Sequence, residues 1–242
     1  MTDSIVANSL TSSTAVTCDN CNLGNLCIPK GLNRSEIDAL ELLVNRNTLI
    51  RKGAALYHAG SPFKGILALR SGSAKLIHHD RSGHEFIVDF TLPGELLGFD
   101  GLTSLKYNCT AIALETVNFC RLPEHKIAVL ANNSPSLSHV LLQRSSSQCD
   151  QQVQHMLLNR RSAEERVAGF ILRLSERLKA RGYAELEFRL SMSREDIGNY
   201  LGIAHETVSR IMHYFQAQQL IEIKSKHLKI KNKKKLLDFY SV

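Results

Sequence analysis

The chain of 242 residues is 43% hydrophobic and carries a net charge of +7, enough apolar content for two modest domains, each with its own core. Residues 1–158 hold 13 basic and 13 acidic side chains and residues 159–242 hold 17 and 10, so the whole excess lies in the last third and points that end toward nucleic acid ahead of membrane. No run approaches the roughly 18 apolar residues of a membrane span and residues 1–17 lack the features of a signal peptide, which leads us to expect a cytoplasmic protein without a membrane partner.

In that compartment six cysteines are thiols, metal ligands or redox groups rather than a disulfide framework. Cys18, Cys21 and Cys27 form a C-x2-C-x5-C run in an irregular segment. Two thiolates so spaced reach one metal centre, and the third supplies most of a four-ligand site. The fourth ligand must come from far away. Cys120 is the candidate, because Cys109 falls in a loop-like stretch and Cys149 on a helix. Tetrahedral zinc, a [4Fe-4S] cluster and plain reduced thiols all remain open on spacing alone.

Residues 33–47 have apolar side chains at 37, 40, 43 and 44, which is helical spacing. From Thr48 to Pro123 short apolar segments, among them 65–70, 74–78 and 85–90, alternate with glycines and predict a compact all-β roll. Asp80-Arg-Ser-Gly83 predicts a hairpin turn. His78, His79, Asp80, His84 and Glu85 cluster there as in metal oxygenases built on such rolls, but neighbours on a strand face opposite sides, so a polar hairpin tip is the preferred reading.

Residues 136–179 contain one glycine and no proline, a helical region. Its first part aligns on a seven-residue seam through Leu142, Cys149 and Met156, with Val153 beside it, the pattern of a two-stranded coiled-coil homodimer. Ser145, Ser146, Ser147 and Gln148 interrupt the seam: either the helix breaks there or the dimer is marginal and easily switched.

Residues 193–212 have helix-turn-helix spacing, with apolar residues at 197, 201, 203, 208 and 211 and glycines at 198 and 202. Ser193 is the expected N-cap of the first helix. The second helix presents His205, Glu206, Ser209 and Arg210 outward, suited to base edges in a major groove of double-stranded DNA. Residues 220–230 predict a two-stranded wing whose lysines face phosphates.

Over nearly its whole length the sequence resembles the FNR branch of the CRP/FNR superfamily, through Leu26-Cys-Ile-Pro29, Leu69-Arg-Ser-Gly72, Pro93-Gly-Glu-Leu-Leu-Gly-Phe-Asp100, Leu114-Glu-Thr116, Ala163-Glu-Glu-Arg166, Glu187-Phe-Arg-Leu190 and Asp196-Ile-Gly-Asn-Tyr-Leu-Gly202. The resemblance implies an α+β chain: a cluster-binding segment 1–30, a cyclic-nucleotide-binding-like jelly-roll sensor domain 31–134, a dimerisation helix 135–162 and a winged helix-turn-helix 163–242. It further implies a [4Fe-4S] cluster on Cys18, Cys21, Cys27 and Cys120. An intact cluster would favour a dimer that binds paired TTGAT-type half-sites and contacts RNA polymerase; oxygen would degrade the cluster and release monomers.

Two positions depart from that family's pattern. Gln151 stands where oxygen-sensing relatives often place a repelling acid on the dimer helix, and Asn22 follows Cys21 where the side chain influences oxygen access. His205 stands where the family varies. A CRP-like regulator answering to a small molecule or a structural zinc is the alternative; its cyclic-nucleotide form keeps Glu95 but has Tyr107 and Asn108 in place of the Arg-Ser pair that would hold a cyclic phosphate.

Overall fold

The computed structural model describes residues 17–240; residues 1–16 of the expected N-terminal segment and 241–242 of the C-terminal domain lie outside the described residues. Helix α1 (Arg34–Leu43) starts on a capping box, in which Asn33 accepts from the Glu36 amide and Glu36 from the Asn33 amide. It stops four residues before the end expected from apolar spacing. Val44 is already extended, with φ −82° and ψ 126°, and the following residues leave the helix for a sheet.

The roll comprises β1 (Asn45–Ile50), β2 (Ala55–Tyr57), β3 (Gly65–Ser71), β4 (Ala74–His79), β5 (Glu85–Thr91), β6 (Leu96–Leu97), β7 (Thr110–Ala113) and β8 (Val117–Pro123). They form two antiparallel four-stranded sheets, ordered β1-β8-β3-β6 and β2-β7-β4-β5. Inward residues of both, including Leu67, Phe119, Ala74 and Ala111, share one core. The turn between β4 and β5 is an exposed tip in which Asp80 accepts from the Ser82 and His84 amides.

Helix α2 (Glu124–Asn133) leads to α3 (Pro135–Leu158), capped by the Ser134 hydroxyl. Helix α3 runs unbroken through Ser145 to Gln148, which removes the first of the two alternatives above. It ends at Leu158, so residues 159–162 are a connecting turn and not the last turn of the helix. A second capping box, Ser162 with Glu165, starts α4 (Ala163–Lys179).

Beyond it lie β9 (Glu187–Arg189), α5 (Arg194–Leu201), α6 (His205–Ala217), β10 (Ile221–Lys224), β11 (His227–Ile230) and α7 (Lys233–Asp238). The wing has a third strand, since β9 pairs with β11. The C-terminal core includes Ile77, Ile87, Phe90 and Leu92 of the roll, so the two domains meet through a shared apolar layer.

Candidate metal centre and nucleic-acid interface

Cys18, Cys21 and Cys27 lie in the turns that precede α1, and Cys120 lies on β8 opposite Ala68 of β3. The sheet thus carries the distant cysteine to the wall of a pocket that the other three also line, together with Arg46 and Arg70. Burial pushes the Cys27 thiol up to about 12, and its neighbours Cys120, Cys18 and Cys21 add to the effect. Burial also raises Cys18, against the pull of Arg46, and Cys120, against Arg70. Burial thus favours the protonated form of Cys18, Cys27 and Cys120, and a metal bound there would have to displace their protons. Among the described residues no three His, Cys, Asp or Glu side chains converge as the ligands of a single ion do. Cys109 is buried elsewhere in the roll, and Cys149 is exposed on α3.

The cysteine turns are tied to the rest of the molecule by contacts that sequence reasoning did not single out. Arg144 of α3 donates to the Cys27 carbonyl at 2.8 Å. Leu26 sits on Gly94, where an added Cβ would come within 2.9 Å of the Leu26 Cβ. The adjacent Glu95 carboxylate receives Arg177 and Arg181 of the α4 region, each at 2.5 Å. A lone arginine on a helix gives no sequence signal of such partners. With Glu95 so engaged, and with the Tyr107 hydroxyl donating to the Gly65 carbonyl and Asn108 to that of Asp100, the residues aligned with a cyclic-nucleotide site are committed to internal bonds.

In the C-terminal domain Ser193 and Asp196 form the capping box of α5, and Ile197, Leu201, Val208 and Ile211 lock α5 onto α6. Gly198 permits this approach, since a Cβ there would lie 2.7 Å from the Ile203 carbonyl oxygen. Arg166 donates to the Leu201 carbonyl at 3.0 Å, satisfying the end of α5. On the first turns of α6, His205, Glu206 and Arg210 are exposed and Ser209 is half-buried. The lysines expected to face phosphates are more occupied than anticipated. Of the wing lysines, Lys224 pairs with Glu222 and Lys229 with Glu187, and just beyond the wing Lys231 pairs with Glu222 and Lys233 with Glu185; ion pairs near the surface are weak.

Helix α3 leaves Leu142 69% exposed, Met156 67%, and Val153 52%, with Cys149 exposed between them. Its polar middle is engaged within the chain: besides Arg144, Gln148 donates to the Leu96 carbonyl at 3.1 Å.

Two family models match the sequence, the cyclic nucleotide-binding domain over residues 48–134 and the Crp-like helix-turn-helix domain over residues 165–239. The chain is 40% identical to an anaerobic regulatory protein of Haemophilus influenzae, over 93% of this chain and 88% of that one. It is 41% identical to the transcriptional activator protein Anr of Pseudomonas protegens, over 88% of each. Among solved structures, FixK2 from Bradyrhizobium japonicum superposes with a TM-score of 0.74 at 24% identity, covering 81% of this chain and 96% of that one.

Proposed function

Since the chain belongs to the CRP/FNR family of transcription regulators, and is a DNA-binding regulator rather than an enzyme, we propose that it responds to oxygen through a [4Fe-4S] cluster on Cys18, Cys21, Cys27 and Cys120. The observation that carries this reading is that four cysteines from two segments about a hundred residues apart line one pocket. Zinc requires four ligands within about 2.0–2.3 Å of one ion, whereas a cubane takes one thiolate on each of its irons; the likeness to anaerobic regulatory proteins favours the oxygen-labile group. Bound there, the iron–sulfur core would supply an oxygen-labile centre whose properties respond to the surrounding hydrogen bonds and charge.

The chain's own residues supply the readout. Cys27 offers its thiol to the pocket and its carbonyl to Arg144, so the position of the cysteine turns bears directly on α3. The exposed Leu142, Cys149, Val153 and Met156 form the face on which a second copy would dock. In the resulting dimer each subunit would present His205, Glu206, Ser209 and Arg210 to one TTGAT-type half-site, with arginine suited to guanine acceptors and glutamate to the cytosine amino group. RNA polymerase is the further partner, in keeping with the activator name of the Pseudomonas relative. No helix among the described residues is long and apolar enough to cross a membrane.

Anaerobic purification, iron and sulfide analysis and a visible spectrum before and after air test the proposal. We expect about four iron and four sulfide per chain and absorbance that bleaches in air. Zinc, which is colourless and redox-silent, or no metal at all would overturn the cluster and leave a DNA-binding regulator with another signal.

A further inference from the structure

The four candidate cysteines are not held alike. Cys120 is fixed by strand pairing. Cys21 accepts the Gly24 amide at 2.9 Å, and Cys27 is fixed by its amide on the Leu23 carbonyl at 2.9 Å and by Arg144 on its own carbonyl. Cys18 takes its anchorage from two side chains. Glu41 of α1 accepts the Cys18 amide through Oε1, the same oxygen that pairs with Arg46 Nη2 of β1 at 3.2 Å. Arg46 Nη2 in turn reaches Cys18 Sγ at 3.3 Å, which closes a three-membered ring of contacts. Both side chains are largely withdrawn from water, with Arg46 20% and Glu41 21% exposed.

We propose that Arg46, steered by Glu41, is a positioning residue that clamps Cys18 and lends positive charge to the thiol pocket, and thereby sets how long a cluster carried there survives air. The inference rests on the cluster reading above. Four thiolates around an iron–sulfur core leave a net negative charge, and a guanidinium donating to one of the sulfurs withdraws electron density from it. Outer groups of this kind orient ligands and tune the centre they hold. Glu41 keeps the guanidinium from swinging out to solvent, and through the Cys18 amide it fixes the backbone on which the sulfur is mounted. Arg70 lines the same pocket, so the positive charge there is not confined to one wall.

The test uses the full-length protein with Arg46→Met, which keeps the length of the side chain without its charge, Arg46→Lys, which keeps the charge without the planar fork, and Glu41→Gln. Three quantities are read: iron and sulfide after anaerobic loading, the rate of bleaching in air together with the midpoint potential, and the rate of protease cleavage within residues 17–24 of the metal-free protein. We expect Arg46→Met to bleach roughly tenfold faster, in the range that outer-shell substitutions cost metal sites, with its potential moved downward and partial recovery in Arg46→Lys. Metal-free Arg46→Met and Glu41→Gln should both be cleaved several-fold faster than wild type, as local opening becomes easier. Equal loading, lifetime and cleavage in wild type and Arg46→Met overturn the proposal. Wild type that loads no iron overturns the cluster reading instead, and unchanged cleavage of both metal-free variants would then overturn the clamp as well.

Discussion

Glu95, in the turn leading into β6, and Arg177, near the end of α4, meet across the junction of the two domains with carboxylate and guanidinium 2.5 Å apart. Burial by itself would push the Glu95 carboxyl up, but Arg177 and Arg181 outweigh it and hold the group below the usual carboxylate range. Removing one partner of such a pair leaves a charge stranded away from water. Because both side chains keep a little over a fifth of their surface exposed, Glu95→Gln and Arg177→Met should each cost about 2 kcal/mol, below the range for fully buried pairs. The double variant should cost clearly less than the sum, as contacting residues do. Denaturant unfolding of the metal-free protein measures all three; strictly additive losses would show that the two residues do not act on each other.

Asp89 on β5 makes the same junction sensitive to pH. Burial pushes its carboxyl up to about 6, while Arg177 pulls in the opposite direction. A carboxyl raised in the folded state contributes stability at low pH that is lost as pH rises from the unfolded value, near 4, through about 6. Asp89→Asn does not ionise, so its advantage over wild type should grow across that window and level off above it, at about 3 kcal/mol. Melting temperatures between pH 4.5 and 7.5 provide the check, and a constant difference would mean that Asp89 titrates normally.

Met156 tests the seam on α3. Met156 is 67% exposed, so Met156→Glu should leave the subunit folded while weakening self-association of the loaded protein by more than about tenfold, since two like charges would face each other across the seam. Sedimentation under anaerobic conditions gives the answer. A dimer of unchanged affinity would place the contact on another surface.

Arg210 separates recognition from folding. It is exposed on α6, so Arg210→Ala should keep the wild-type melting temperature and lose about 1–3 kcal/mol of binding to a paired TTGAT-type site, with relaxed preference at the base pair it reads. Equal loss on all sequences would reassign it to the phosphate backbone.

What could be read in advance was local. Alternating apolar segments and glycine punctuation marked β3, β4 and β5 and the turn at Asp80, because side-chain period and turn geometry are written in adjacent residues. Helix spacing alone could not find the end of α1, since Val44 is as apolar as a helical residue would be and leaves the helix only because the next residues pair with β8. The continuity of α3 through three serines was equally hidden: Arg144 and Gln148, which flank them, are held by carbonyls of Cys27 and Leu96, 117 and 52 positions away in sequence. The lysines of the wing and just after it showed their charge but not their carboxylate neighbours, which are Glu187 on β9, Glu185 before it and Glu222 on β10 itself.

The bond from Arg144 ends on the main chain of Cys27, and this separates two properties of one residue. A carbonyl acceptor survives any change of side chain, so Cys27→Ser would strip a sulfur from the pocket while the tether to α3 stayed tied. Arg144→Met would cut the tether and leave every sulfur in place. On the proposed reading, the chemistry of the pocket and its mechanical linkage to α3 would share a single position without sharing an atom, and each could be disabled with the other intact.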